Sequence, residues 1–165
     1  MKKLSVLFAA VVMLFSVGMK AQKVASMDVA GVLSLMPEKK KADEQLDAYS
    51  KAKQAEMQKE AQPYQAIAQK YQEEAPTQTA EVNKKREAEL QKMQSELQTK
   101  AAAVQKDVAD KTDATYAPIE AKFNAAVDKV AKANGWDFIF DANSPSLIYK
   151  AGPDATALVK KELGL

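Results

Sequence analysis

The sequence of 165 residues contains no cysteine and no histidine, and only five glycines. Without cysteine there are no disulfides, so stability must come from packing or oligomerisation. The missing residue types also remove the commonest general base, the commonest transition-metal ligand and the most nucleophilic side chain. No glycine-rich phosphate loop is present. The composition therefore argues against an enzyme, a metal site or a cofactor, and a hydrolase is a disfavoured alternative.

The first 21 residues have the pattern of a secretory signal peptide. Lys2 and Lys3 precede an uncharged run from Leu4 to Val17, which is shorter than the roughly 20 residues that span a bilayer. Cleavage is predicted after Ala21 or after Gly18. The remaining 144 residues carry 21 basic and 22 acidic groups, a net charge of −1. Nothing in that balance points to a nucleic-acid partner.

The stretch from Ala80 to Asn134 predicts one long amphipathic helix. Its apolar stripe repeats every eleven residues, as in the series Leu97, Val108, Ile119 and Val130. An eleven-residue repeat corresponds to 3.67 residues per turn and keeps an apolar seam nearly straight. A one-sided stripe in water requires a partner helix.

Residues 38–74 supply that partner, because they are amphipathic and precede a break at residues 75–79. Pro76 disfavours helix at Ala75, and Thr79 can cap the next helix. We therefore predict an antiparallel hairpin over residues 38–116, called the arm, with its tip near 75–79. If position n faces 154 − n, Glu38 lies beside Tyr116. Pro63 and Pro118 are the hinge candidates, since proline removes a helical hydrogen bond.

The two ends of the chain predict a small α+β body formed by residues 22–37 and 117–165. Strands are expected at 23–29, 136–141 and 146–150, the last two forming a β-hairpin. Asn134-Gly135 ends the long helix, and Asp154 caps a final short helix. The predicted body core is Trp136, Phe138, Phe140 and Ile148. So small a body has open sheet edges, which oligomerisation through the strands would cover.

The order of these parts resembles the Skp/OmpH family of periplasmic chaperones. The resemblance rests on Ser26-Met27-Asp28-Val29, on Met36-Pro37-Glu38 and on Gly135-Trp136-Asp137-Phe138-Ile139-Phe140-Asp141 after a long charged helical hairpin. It covers essentially the whole chain after the signal peptide. It implies a homotrimer with a β-rich trimerisation body, whose arms enclose a cavity for unfolded outer-membrane proteins, without ATP, in the periplasm of a Gram-negative bacterium. Family members are often basic, and the net charge of −1 departs from that pattern.

Two groups of arm residues are candidate contact sites. Tyrosine and methionine can bind clients in the cavity or pack in the hairpin seam, and the seam is favoured because a lone helix pair needs its best apolar residues for itself. The basic cluster at the tip matches in position the arm residues linked in the family to lipopolysaccharide, although flanking glutamates favour a solvated helix face. The client candidates are Tyr49, Met57, Tyr64, Tyr71 and Met93, and the lipopolysaccharide candidates are Lys84, Lys85 and Arg86.

A structural coiled-coil protein, serving as an envelope tether without a client, is the alternative function. A tether should be straight and stiff, whereas Pro63 and Pro118 favour bending. Asp28, Asp137 and Asp141 lie beside short strands, where aspartate more often closes turns or caps helices than catalyses.

Overall fold

A computed structural model describes residues 23–165, so the predicted signal peptide lies outside the described residues. The fold is α+β, with a long antiparallel helical hairpin as predicted. Its elements in chain order are β1 (Val24–Met27), α1 (Val29–Leu35), α2 (Pro37–Glu74), a 3₁₀ turn (Ala75–Thr77), α3 (Ala80–Asn134), β2 (Phe138–Asp141) and α4 (Thr156–Leu163). Among residues 23–165 no helix is both long and apolar enough to cross a membrane.

The described chain forms two compact units. Residues 33–123 make the hairpin unit, and residues 23–32 together with 124–165 make the sheet unit. The domain boundaries that the sequence suggested, 37/38 and 116/117, stay a prediction.

The eleven-residue stripe of α3 coincides with its less exposed face. The side chains of Val82, Met93 and Val104 are half-buried, and so are those of Leu97 and Val108. Both eleven-residue series continue along the helix to buried positions. The series of Leu97 and Val108 reaches Ile119 and Val130, and the series of Val82, Met93 and Val104 reaches Ala126. The stripe therefore keeps one side of the helix from residue 82 to residue 130, as an eleven-residue repeat requires.

The tip is a tight turn that hydrogen bonds within itself. The Thr77 hydroxyl donates to the carbonyl of Glu74 at 2.8 Å, and the Asn83 amide donates to the carbonyl of Ala75 at 3.0 Å. The Thr79 hydroxyl accepts a hydrogen bond from the Val82 N–H at 3.3 Å, which confirms Thr79 as the cap of α3.

Neither proline interrupts its helix. Pro63 lies inside α2, and Pro118 lies inside α3. The hinge role of both prolines stays a prediction.

The pairing of the two long helices differs from the predicted register. Glu38 pairs with Lys122 and not with Tyr116, while Tyr116 donates to Asp43. Helical side chains lean toward the helix N-terminus. In an antiparallel pair, this lean places contacting residues farther apart in number than their backbones suggest. In five side-chain pairs the two residue numbers add up to 160, whereas the predicted register gives a sum of 154. These pairs are Glu38–Lys122, Lys53–Asp107, Glu60–Lys100, Tyr71–Glu89 and Glu74–Arg86.

The predicted β-hairpin at 136–150 is wrong. β2 pairs in parallel with β1, with Val24 opposite Phe138 and Ser26 opposite Phe140. Residues 146–150 form no strand. Two successive turns lead the chain away from β2, because Ser144 N–H donates to the Asp141 carbonyl at 3.1 Å and Leu147 N–H to the Ser144 carbonyl at 2.9 Å. Aspartate, asparagine and serine favour such turns.

β1 is the central segment of the sheet unit. On its other side Ser26 N–H donates to the Pro153 carbonyl at 2.9 Å, and Ala155 N–H donates to the Ser26 carbonyl at 2.8 Å. Its inner face carries Ala25 and Met27, both buried. The remaining buried apolar residues of the unit are Val32, Ala126, Val130, Ala155 and Val159.

The predicted body core is not the core of the single chain. Phe138 is 46% exposed, Phe140 50% and Ile148 97%, while Trp136 is half-buried. Strand side chains alternate between faces, so Phe138 and Phe140 share the outer face with Val24, opposite the buried Ala25 and Met27.

Candidate functional site

Three tyrosines join α2 to α3 through their hydroxyl groups. Each hydroxyl donates to a carboxylate of the other helix, and each ring has a cation over it. The hydroxyl bonds are Tyr49 to Asp107 at 2.5 Å, Tyr71 to Glu89 at 2.7 Å and Tyr116 to Asp43 at 2.5 Å. The cations lie 4.5–5.6 Å from the ring centroids and are Lys53 over Tyr49, Arg86 over Tyr71 and Lys39 over Tyr116.

The hydrogen bonds and ion pairs in these clusters shift the pKa values of the three tyrosines and of two aspartates. The Tyr49 hydroxyl, followed by the Lys53 ammonium at 3.0 Å, lowers the pKa of Asp107 below its usual range. Lys39 and then Tyr116 lower the pKa of Asp43 in the same way. Donation to a carboxylate raises the pKa of all three tyrosines, since the bond is lost on ionisation. The charged forms of Asp43 and Asp107 and the neutral forms of the three tyrosines are therefore favoured.

Two of the predicted client-contact residues therefore connect the two helices of the hairpin. Tyr49 and Tyr71 use their hydroxyls between the helices. Tyr64 and Met93 come together at one shallow groove of about 200 Å³ beside Pro63. All five predicted residues are half-buried, so each belongs to the seam and still keeps part of its surface in water.

A second groove of the hairpin unit lies around Met57, with a volume of about 550 Å³. Its floor is apolar, formed by Met57 of α2 and by Ala101, Val104 and Val108 of α3. Three amide side chains stand at its rim, namely Gln54, Gln58 and Gln105. The sequence indicates Met57 by residue type but not the α3 side of the groove, because that side depends on the register of the hairpin.

The basic cluster at the tip divides into two kinds of residue. Arg86 is only 17% exposed, forms an ion pair with Glu74 and lies 4.5 Å from the centre of the Tyr71 ring. Its Nη1 atom is buried without a hydrogen-bond partner. Lys84 and Lys85 are exposed, and Lys85 pairs with Glu81 of its own helix at 2.9 Å. The structure therefore makes Arg86 a member of the seam and leaves Lys84 and Lys85 facing solvent.

The outer face of the sheet unit forms a second candidate site. The rings of Phe138 and Phe140 stack with centroids 6.2 Å apart. A neighbouring pocket of about 230 Å³ is lined by Val24, Phe140 and Tyr149, among others. Exposed apolar surface of this kind, on a unit with only two paired strands, is typical of an interaction site.

No cluster of metal-ligating side chains occurs in the part of the chain that the structure describes. The chemistry available at both sites is therefore apolar contact, amide hydrogen bonding and exposed charge.

A pair of very long antiparallel helices, placed in the chain between the two halves of a small α+β unit, defines a class of helical-arm proteins. The chain belongs to one family within that class, the family described as Outer membrane protein (OmpH-like), whose sequence profile matches residues 23–163. It is 27% identical over 143 residues to the Chaperone protein Skp of Pectobacterium atrosepticum, covering 87% of this chain and 86% of that protein. It is 28% identical over 150 residues to the Chaperone protein Skp of Yersinia enterocolitica, covering 90% of each.

The fold also matches a solved structure. An OmpH-like outer membrane chaperone from Caulobacter crescentus superposes with a TM-score of 0.65, covering 88% of this chain and 86% of that chain at 19% sequence identity. At that identity the match supports the fold. The resemblance found in the sequence is thereby confirmed at the level of the family.

Proposed function

We propose that this chain is an ATP-independent holdase chaperone of the periplasm, which binds unfolded outer-membrane β-barrel proteins and prevents their aggregation. The observation that carries the proposal is the incomplete burial of the hairpin. Between residues 43 and 118 no side chain is fully buried. A helix pair that long exposes apolar surface along its length, and methionine and tyrosine suit adaptable contact with varied segments.

Many weak contacts along such a surface retain a client without trapping it. Each contact is individually reversible, and linking many of them raises the effective affinity. Release then follows when the client's own folding into the membrane outcompetes those contacts. No nucleotide is needed in this scheme, because the free energy comes from the client's folding.

The proposed assembly is a homotrimer whose arms enclose the client cavity. The exposed outer face of the sheet unit supports it, since Phe138, Phe140 and Ile148 need cover that the single chain does not provide. Covering these side chains with another subunit would stabilise the assembly by roughly 25 cal/mol for each Å² of apolar surface removed from water. Sedimentation of the chain without residues 1–21 should therefore give about three times the chain mass, whereas a stable monomer contradicts the assembly.

The decisive functional test is the aggregation of a urea-unfolded β-barrel outer-membrane protein on dilution. Stoichiometric chaperone without ATP should suppress light scattering and keep the client soluble. Unchanged scattering in the presence of an assembled trimer contradicts the holdase function. Lipopolysaccharide or an anionic membrane surface is a further proposed partner, restricted to Lys84 and Lys85 because Arg86 is committed to Glu74 and Tyr71.

The alternative, an envelope tether without clients, is favoured by one observation. Both long helices continue through their prolines without interruption, as a stiff spacer would require. Hydrogen exchange over residues 55–110 separates the two functions, since a tether should be uniformly protected there and a flexible arm should exchange readily.

A further inference from the structure

The turn at Pro63 is a weak point in α2. Proline has no N–H, so the Lys59 carbonyl four residues earlier receives no helical hydrogen bond. Directly at this turn, Glu60 forms an ion pair with Lys100 of α3. The side chains of this pair are 44% and 55% exposed, so dissolved salt screens the interaction.

The turn at Pro118 is a weak point in α3 for two reasons. Pro118 leaves the Ala114 carbonyl without its helical donor. The preceding turns also contain Thr112 and Thr115, whose hydroxyls donate to backbone carbonyls four residues earlier at 2.8 and 2.7 Å. Threonine bonded in this way tends to bend helices.

A cross-helix cluster lies beside Pro118 as well. Tyr116, two residues earlier, donates its hydroxyl to Asp43 of α2 at 2.5 Å. Lys39 pairs with the same Asp43 at 2.8 Å and lies 5.6 Å from the Tyr116 ring centre. Only one partner of the hydroxyl bond is charged, so salt affects this bond less than the Glu60–Lys100 pair.

We propose that the hairpin contains two joints, at Pro63 and Pro118, and that each is held closed by its own latch. The Glu60–Lys100 pair holds the first and the Tyr116–Asp43 bond holds the second. The opposite helix acts as a splint in each case, because it has no proline at that level. The first joint is held by an exposed ion pair, and the second by a hydroxyl bond with the exposed Glu38–Lys122 pair beside it. Salt therefore loosens the turn at Pro63 more than the turn at Pro118. This device concerns the hairpin alone and goes beyond the proposed holdase function.

Hydrogen exchange with mass spectrometry on the full assembled protein tests the latches. Glu60→Gln should accelerate exchange at residues 59–67 by about 2- to 5-fold, the amount expected from losing an exposed ion pair. Tyr116→Phe should accelerate exchange at 112–122 by about 2- to 10-fold, the amount expected from losing one solvent-exposed hydrogen bond. Each effect should stay within its own joint.

Matched controls separate the latches from a general loss of stability. Asp47→Asn removes a charge whose partner, Lys51, belongs to the same helix at 2.7 Å. Tyr71→Phe removes a cross-helix hydroxyl bond from a helical turn that contains no proline. Neither control should accelerate exchange at either joint by more than about 1.5-fold, roughly the effect of a surface substitution. Equal acceleration in latch and control variants overturns the proposal.

Salt supplies a second measurement that needs no variant at the joints. Raising the salt concentration from about 0.05 to 0.5 M shortens the screening length severalfold. Exchange at 59–67 in the unmodified protein should then rise by about 2- to 5-fold. Exchange at 112–122 should rise by less, because the Tyr116 hydroxyl bond persists there when the Glu38–Lys122 pair is screened. Uniform acceleration, or none at 59–67, contradicts the latch at Pro63. If the amides of residues 59–67 and 112–122 exchange as slowly as those of the neighbouring helical turns, there are no joints at Pro63 and Pro118.

Discussion

The side-chain amide of Asn143 donates a hydrogen bond to the Asp28 carboxylate at 2.7 Å, across 115 residues of sequence. Asp28 also caps α1, since the same oxygen accepts the Gly31 N–H at 2.8 Å. Its own backbone N–H donates to the Thr156 hydroxyl at 2.9 Å. One residue therefore joins the β1–α1 boundary, the turn after β2 and the start of α4 within the sheet unit.

Replacement of Asp28 should destabilise the sheet unit more than an ordinary surface change. Asp28→Ala leaves two donors without their acceptor, and a cost of about 1–3 kcal/mol is expected. Asp47→Ala, which removes an exposed carboxylate from α2, should change stability by at most about 0.5 kcal/mol. Urea unfolding at a fixed protomer concentration measures both, and equal midpoints would show that the Asp28 bonds are energetically idle.

Arg86 and its neighbour Lys85 should behave differently when replaced by alanine. Arg86→Ala removes the stacking on Tyr71 and leaves Glu74 without its partner, so a loss of about 1–2 kcal/mol is expected. Lys85→Ala removes one exposed intrahelical pair and should cost at most about 0.5 kcal/mol. Thermal melts by circular dichroism provide the comparison. An unchanged melting temperature in Arg86→Ala would mean that Arg86 lies on a solvated helix face, as the sequence favoured.

The stability of the hairpin should depend on pH at both extremes. The pKa values of Glu38, Asp43 and Asp107 are lowered in the folded state. Their contribution is present above the unfolded values near pH 4 and is lost as pH falls through the lower folded values.

The tyrosine hydroxyls determine the loss of stability at alkaline pH, because their pKa values shift upward on folding where those of the carboxylates shift downward. The pKa values of Tyr49, Tyr71 and Tyr116 are raised in the folded state, so their contribution is present below about pH 10 and is lost as pH rises through the folded values. The melting temperature should be flat from about pH 5 to 9 and fall on either side. Replacing all three by phenylalanine should reduce the alkaline fall, because the titrating hydroxyls are gone. It should also reduce the acid fall in part, because Asp107 and Asp43 lose a donor while Glu38 keeps Lys122. An unchanged alkaline profile contradicts this role.

Charges on the outer face of the sheet should dissociate the assembly. The double substitution Phe138→Asp with Phe140→Asp places two carboxylates where the stacked rings lie, and burying them between subunits would be costly. Sedimentation velocity should then show monomers. Lys129→Ala, which breaks the exposed pair with Glu162 in the same unit, is the control and should remain assembled. An oligomer that tolerates both aspartates must use another surface.

Filling the groove around Met57 should weaken client retention. Ala101→Leu adds apolar volume to the floor of the groove, and a loss of about 3- to 10-fold in affinity for an unfolded client is expected if one apolar contact is excluded. Ala103→Leu adds the same group at an exposed position and should have no such effect. Titration of a fluorescent unfolded outer-membrane protein measures both variants. If the unmodified protein binds and Ala101→Leu binds equally well, the groove is not the contact surface.

The helices were predictable because their signals are local. The eleven-residue stripe, the cap at Thr79 and the stop at Gly135 each depend on residues within a few turns, and the bounds of α3 match the predicted stretch. Gly135 adopts a φ of +65°, a conformation that favours glycine at a helix end. The candidate site was less predictable, since Met57 could be identified by residue type but its neighbours Ala101 and Val104 could not.

The sheet was mispredicted because strand partners are not a local property. Residues 146–150 have strand-type composition and follow β2 closely, which favours a hairpin. β1, more than a hundred residues away in sequence, takes that place, and the turn residues after Asp141 direct the chain elsewhere. No local sequence pattern indicates which of the two apolar segments, β1 or residues 146–150, pairs with β2.

The sequence by itself determined the long helical pair, its turn and its membership of the OmpH-like family, because periodicity, caps and composition act over short distances. Only the tertiary structure decided the register between the helices, the parallel pairing of β1 with β2, and the division of the tip cluster into a seam arginine and two exposed lysines. These depend on side chains meeting across space, where lean, length and competition between partners select the contact. That is why Arg86, next in sequence to Lys85, has a different role.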